Sequence, residues 1–187
     1  MILRGLWKLA KGDRLGIIEF GNTNDAFYAS LAPLIAFPLV GSANMALHGQ
    51  WQLAIVSFLS RLCAVLVLPL VTFEAARILG REKLWLRAAT ALNWSFWIML
   101  PVFIVAVVLF SIMAQSGLTQ EVAFGASFTL AGLYLLWNRW FIMRIGLGLG
   151  IWQAVLVVAL VSLAAGACTF LPLAFGFWPD TSQISTL

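Results

Sequence analysis

Arg61 is the residue in this sequence whose type and setting most demand explanation. It lies ten positions into an apolar run that starts at Trp51, about 15 Å along a helix. A charged side chain at the middle of a bilayer costs about 2.5–3.5 kcal/mol on insertion scales, so it marks a candidate substrate or ion path. The run is also long enough to tilt, which would let the guanidinium snorkel to the headgroups or hydrogen-bond between helices. Glu74 follows thirteen residues later, about 20 Å along the same axis, so the two cannot pair within one helix. Arg77 lies three positions beyond Glu74 and offers an interfacial ion pair in place of a proton relay. Asn93, in Leu92-Asn93-Trp94-Ser95, is the third candidate for an intramembrane polar site, and an interhelical hydrogen bond accounts for it.

The constellations of catalysis are missing. His48 is the only histidine, and it stands in a short turn. Cys63 and Cys168 both lie inside apolar runs, where packing thiols are the expectation. No nucleophile sits beside a base and no two carboxylates share an apolar run, so we expect no catalytic residue, cofactor or metal site. Gly146, Gly148 and Gly150 follow no strand and form no phosphate-binding loop; a turn or close helix packing is expected of them.

The elements that must position these residues are membrane helices. Of 187 residues 63% are hydrophobic and 10% charged, where a soluble domain carries about 25% charged. Lipid must be the solvent for so much apolar surface. A core of about 30 Å needs roughly 20 apolar residues in helical form. Five stretches qualify, over about 26–47, 51–79, 88–114, 122–142 and 151–171. Backbone amides in hydrocarbon must be satisfied internally, which leaves helices or a closed barrel, and Val102 to Phe110 is apolar without the alternation that a barrel strand needs. The fold class expected is an all-α integral membrane protein with a bundle of five transmembrane helices. Asn24 or Asp25 is the expected cap of the first span. Pro33 and Pro38 should kink it, and Pro69 and Pro101 should bend the second and third. Trp94 and Trp97 should pack between helices.

The basic residues orient the bundle. Arg4, Lys8, Lys11 and Arg14 precede the first span; Arg77, Arg81, Lys83 and Arg87 flank the second connection; Arg139 and Arg144 flank the fourth. The turn at His48-Gly49-Gln50, the turn from Gln115 to Glu121 and the tail from residue 179 to 187 hold no Lys or Arg. With five spans, every basic residue but Arg61 faces one side, which the positive-inside rule makes cytoplasmic, with the C-terminus outside. The net charge of +4 is thereby assigned to membrane topology, with no nucleic-acid partner.

Residues 1–25 form the expected cytoplasmic segment ahead of a membrane domain at 26–178. Leu3, Leu6, Trp7, Ala10 and Ile17 share a face at helical spacing, opposite Arg4, Lys8 and Lys11, although Gly5, Gly12 and Gly16 weaken a helix. A basic amphipathic segment beside a membrane lies flat on anionic lipid, so Arg4, Lys8, Lys11 and Arg14 are the candidate headgroup contacts. The expected partners are the bilayer, its anionic headgroups and other membrane proteins.

Three short motifs, Phe20-Gly21-Asn22-Thr23-Asn24-Asp25-Ala26-Phe27, Leu79-Gly80-Arg81-Glu82 and Leu92-Asn93-Trp94, occur in this order across the membrane region. With five spans behind a cytoplasmic segment, the chain resembles Yip-like membrane proteins and the small bacterial five-span proteins placed near them. The resemblance implies that topology and a bacterial inner membrane. Yip proteins of eukaryotes are associated with small-GTPase-linked membrane traffic, and no residue here carries that activity over. The expected function is non-enzymatic: organising or assisting other membrane components. The alternative is a small permease or channel subunit using Arg61 in a polar path.

Overall fold

The computed structural model describes residues 2–174, and side chains of 2–170. Among the described residues seven α-helices run in chain order: α1 (Ile2–Ala10), α2 (Asn24–Leu47), α3 (Trp51–Ile78), α4 (Glu82–Ser95), α5 (Met99–Gln115), α6 (Gln120–Gly146) and α7 (Ile151–Ala174). A 3-10 helix at Arg14–Glu19 follows α1, and a second at Phe96–Ile98 joins α4 to α5. There is no strand among the described residues.

Among the described residues, four helices are long and apolar enough to cross a membrane: Asn24–Leu47, Trp51–Ile78, the run Glu82–Gln115 counted through its 3-10 turn, and Ile151–Phe170. The segment 122–142 expected as a further span lies within α6. At 27 residues α6 is longer than two of the four, but Glu121 lies in its first turn and Asn138, Arg139 and Arg144 interrupt its last turns, and it is not among those four. The expected tail at 179–187 lies outside the described residues.

The third run departs most from expectation. It starts at Glu82, not Ala88, and it is broken. Pro101 has no N–H for the carbonyl of Trp97, and the chain tightens into the 3-10 turn just before it. Pro33, Pro38 and Pro69 lie inside α-helices assigned without interruption. Thr23, not Asn24 or Asp25, caps α2: its Oγ1 accepts from the Ala26 amide at 3.3 Å.

Short turns join α2 to α3, α3 to α4, α5 to α6 and α6 to α7, and α4 lies at the centre, against α2, α3 and α6. Its packing residues are small. A Cβ on Gly146 of α6 would stand 2.8 Å from Cβ of Ala88, so the two helices touch nearly backbone to backbone. Ala88, Ala89, Ala91 and Leu92 are buried there with Ile142 and Met143. Small residues at helix crossings are the mark of packing in lipid, where apolar side chains gain nothing by leaving the hydrocarbon. α3 rests on α2 and α7, and α5 packs along α6.

Candidate functional site

The N-terminal segment is not one helix. α1 ends at Ala10, the chain reverses at Gly12 (φ +76°), and the 3-10 helix folds back against α1. The glycines that weaken a long helix permit this contact. A Cβ on Gly5 would stand 2.8 Å from the Phe20 ring, and one on Gly16 would stand 2.9 Å from the Leu9 amide nitrogen. Leu6, Leu9 and Phe20 enter the buried core, whereas Leu3 and Trp7, expected on the same face as Leu6, stay exposed.

Polar contacts fasten this unit. Lys8 Nζ donates to Glu19 Oε1 at 2.8 Å, with Arg4 Nε 3.7 Å from the same oxygen. The hydrogen bond from Lys8 holds the Glu19 carboxyl below its usual pKa, aided by the charges of Lys8 and Arg4. The last carbonyls of α1 have no partner within the helix. Two α6 side chains supply them: Tyr134 Oη donates to Ala10 O at 2.7 Å, and Asn138 Nδ2 donates to Leu9 O at 3.2 Å. The candidate headgroup residues therefore divide. Lys8 and Arg4 face Glu19, while Lys11 and Arg14 form no ion pair among the described residues. Lys11 Nζ sits 4.4 Å from the centroid of the Trp7 ring, a cation–π distance.

Three basic segments converge at one end of the bundle. Asn22 links the first to α4, accepting from the Arg87 amide at 3.1 Å and donating to Lys83 O at 3.5 Å. The turn after α6 lies there too, with Gly148 against Leu84. Arg144 stacks over Trp140 at 5.3 Å.

The three intramembrane candidates are not brought together. Arg61 is exposed on α3, its Nη1 3.3 Å from where a Cβ on Gly41 would stand. Gly41 lies near the end of α2, so the side chain reaches toward the end of the bundle opposite the basic segments. Glu74 pairs with Arg77 at 2.6 Å, both about half exposed. Asn93 alone is buried: its Nδ2 donates to Ser30 Oγ at 2.9 Å, and Ser30 donates to Phe27 O at 2.6 Å. The Oδ1 of Asn93 and the indole nitrogen of Trp97 are buried without a hydrogen-bond partner among the described residues. No group of three or more His, Cys, Asp or Glu among the described residues could hold a metal ion.

One apolar cavity has no counterpart in the sequence expectations. About 1040 Å³ opens between α1, the α4–α5 joint and α6, walled by Leu3, Trp7, Trp97, Val105, Leu130 and Tyr134 among others. Its lining is almost wholly apolar. Leu3, Trp7, Val105 and Leu130 are exposed, so it opens sideways. Trp94 and Trp97, expected to pack between helices, line it, and Trp97 also meets Phe37 edge-on at 5.5 Å. No single segment carries a signal for it, because it is assembled from three. A smaller apolar groove of about 230 Å³ lies between α2 and α3, lined by Leu39, Ser42, Trp51 and Phe58 among others. No protein family, no curated protein and no solved structure matches the chain.

Proposed function

We propose that the chain is a five-span, non-enzymatic protein of a bacterial inner membrane that organises or assists other components of the bilayer. Residues 1–25 and the basic end face the cytoplasm, and the C-terminus lies outside. The carrying observation is the convergence of the basic segments, tied by Asn22 to α4 and by the contact of Gly148 with Leu84. By the positive-inside rule a cytoplasmic face accounts for so many cations at one end of an apolar bundle.

The same contact supports α6 as the fifth span. Gly148 begins the approach to α7 beside the start of α4, whereas α5 finishes at the other end of the run. The chain must return between them, and α6, at about 40 Å, is long enough to cross a core of about 30 Å. α1 with its 3-10 partner is the amphipathic piece at the cytoplasmic interface, docked on the bundle. The likeness to Yip-like proteins belongs to this reading, as topology without a reaction. For a transport path there is no favouring observation, since Arg61 lines neither cavity described above.

Reporter fusions at His48, Lys83, Ser116, Arg144 and Ser185 test the topology. The expected order is out, in, out, in, out. Fusions at Ser116 and Arg144 on the same side would remove α6 from the membrane and sink the five-span reading.

A further inference from the structure

The apolar cavity and the basic N-terminal unit meet at Trp7, which lines the cavity and has Lys11 Nζ 4.4 Å from its ring centroid. We propose that the cavity holds an acyl chain of an anionic glycerophospholipid, with Lys11 at its rim meeting the phosphate. The proposal rests on the membrane reading above and deepens it by naming the component that is held.

Three observations select this occupant. The first is chemistry: the cavity wall is almost wholly apolar, and its two hydroxyls are engaged, Tyr134 with Ala10 O and Ser127 with Met113 Sδ. A polar metabolite would lose its hydration there with nothing in return. The second is dimension. From Ile98 to Leu109 the cavity follows α5 for about 17 Å, and a lipid chain fills half of a core of about 30 Å. The volume, about 1040 Å³, stands at the top of the range of small-ligand sites, roughly 300–1,000 Å³. The third is charge. Lys8 is bound to Glu19 with Arg4 close by, but Lys11 is exposed and among the described residues has only the Trp7 ring, so it is available to a phosphate. The ends also differ in the right sense. The α1 end carries the cation, and the far end near Leu109 carries none.

The roof over the cation-bearing end is fixed. α1 is fastened by Tyr134 and Asn138 and by the close contacts at Gly5 and Gly16, so the site exists without a lipid to assemble it. Entry is sideways past Leu130 and Val105, from the hydrocarbon itself.

The test is native mass spectrometry of the full chain, released from nanodiscs of equal phosphatidylglycerol and phosphatidylethanolamine. The expected result is one retained phosphatidylglycerol, favoured at least tenfold over phosphatidylethanolamine. Val105→Trp and Leu130→Trp add bulk at two exposed wall positions, outside the core, and each should cut retention at least fivefold while the thermal unfolding midpoint holds. Lys11→Gln should keep a bound lipid but lose most of the headgroup preference. Equal retention by wild type and both tryptophan variants overturns the proposal. So does indifference to headgroup in the wild type, or displacement of the lipid by glycerol phosphate, which has no chain. A failure of the fusion pattern at Ser116 and Arg144 would strike the five-span reading and leave these retention ratios unaltered, so the two failures are separable.

Discussion

α4 and α5 are halves of one broken run, and they use the membrane in opposite ways. α4 is the less apolar half, with Glu82, Lys83, Arg87, Thr90, Asn93 and Ser95 in fourteen residues, yet seven of its residues are buried. α5 is mostly Val, Ile, Leu, Phe and Met, with no charged residue, and only Ala106 is buried. In water the ranking would be reversed. Here the hydrocarbon solvates α5 as well as a protein core could, and burial goes to the helix whose small and polar side chains gain from a protein neighbour. Ala88 against Gly146 and Asn93 against Ser30 are such gains, one steric and one polar. The break at Phe96–Ile98 lets one run serve both purposes, and the cavity opens where the two halves part company.

Overpacking should separate the halves most clearly. Ala88→Leu would drive a branched side chain into a crossing where even a Cβ added to Gly146 would stand only 2.8 Å from that of Ala88, so a loss of about 1–3 kcal/mol is expected. Ile104→Leu, on the exposed face of α5, should change stability by less than about 0.5 kcal/mol. Denaturation in detergent micelles, followed by helix content, measures both. Equal effects at the two positions would break the contrast between α4 and α5.

That contrast explains how far the sequence could be read. Helix ends were legible because apolar runs stop at turns, and Gly49, Gly80, Gly117 and Gly148 each take a positive φ there. The start of α4 was not, since Lys83 and Arg87 look like a polar flank to any search for apolar residues. Nor was the fold-back of α1, because a glycine needed for backbone contact looks the same in sequence as one that weakens a helix. Gly5 and Gly16 reveal their use only through Phe20 and Leu9. Among the candidate site residues, the reach of Glu74 to Arg77 follows from spacing alone. The partner of Asn93 is sixty-three positions away and does not. The cavity has no charged residue to announce it.

The polar gain is smaller than the steric one. Asn93→Leu removes the hydrogen bond to Ser30 and also removes the unpartnered Oδ1, so the two changes partly offset. A net loss of about 0.6 kcal/mol is expected, the mean for an interhelical hydrogen bond in a membrane. Ser30→Ala should cost more than Asn93→Leu, because it leaves the Asn93 amide buried with neither end paired. A double-mutant cycle in the same denaturation assay measures the coupling, and the reverse order of the two single variants would show that the pair does not hold α4 to α2.

The smallest effect belongs to the N-terminal unit, where a charged pair does what small residues do in α4. Glu19 is held below its usual pKa by Lys8 first, so its contribution is present above the unfolded-state value, near 4.5, and is lost as pH falls through the folded-state value. Acid should therefore loosen the contact between α1 and the 3-10 helix while leaving the contacts at Ala88 and Asn93, which do not titrate, intact. Hydrogen exchange at Leu9 and Gly16, compared between pH 6 and pH 3 after correction for the intrinsic rate, should show lost protection in the wild type. In Glu19→Gln that pH step should vanish, with protection at pH 6 already lowered. Equal loss of protection in α4 would mean that the N-terminal unit and the bundle open together, and that the division between a fastened roof and a packed centre is not real.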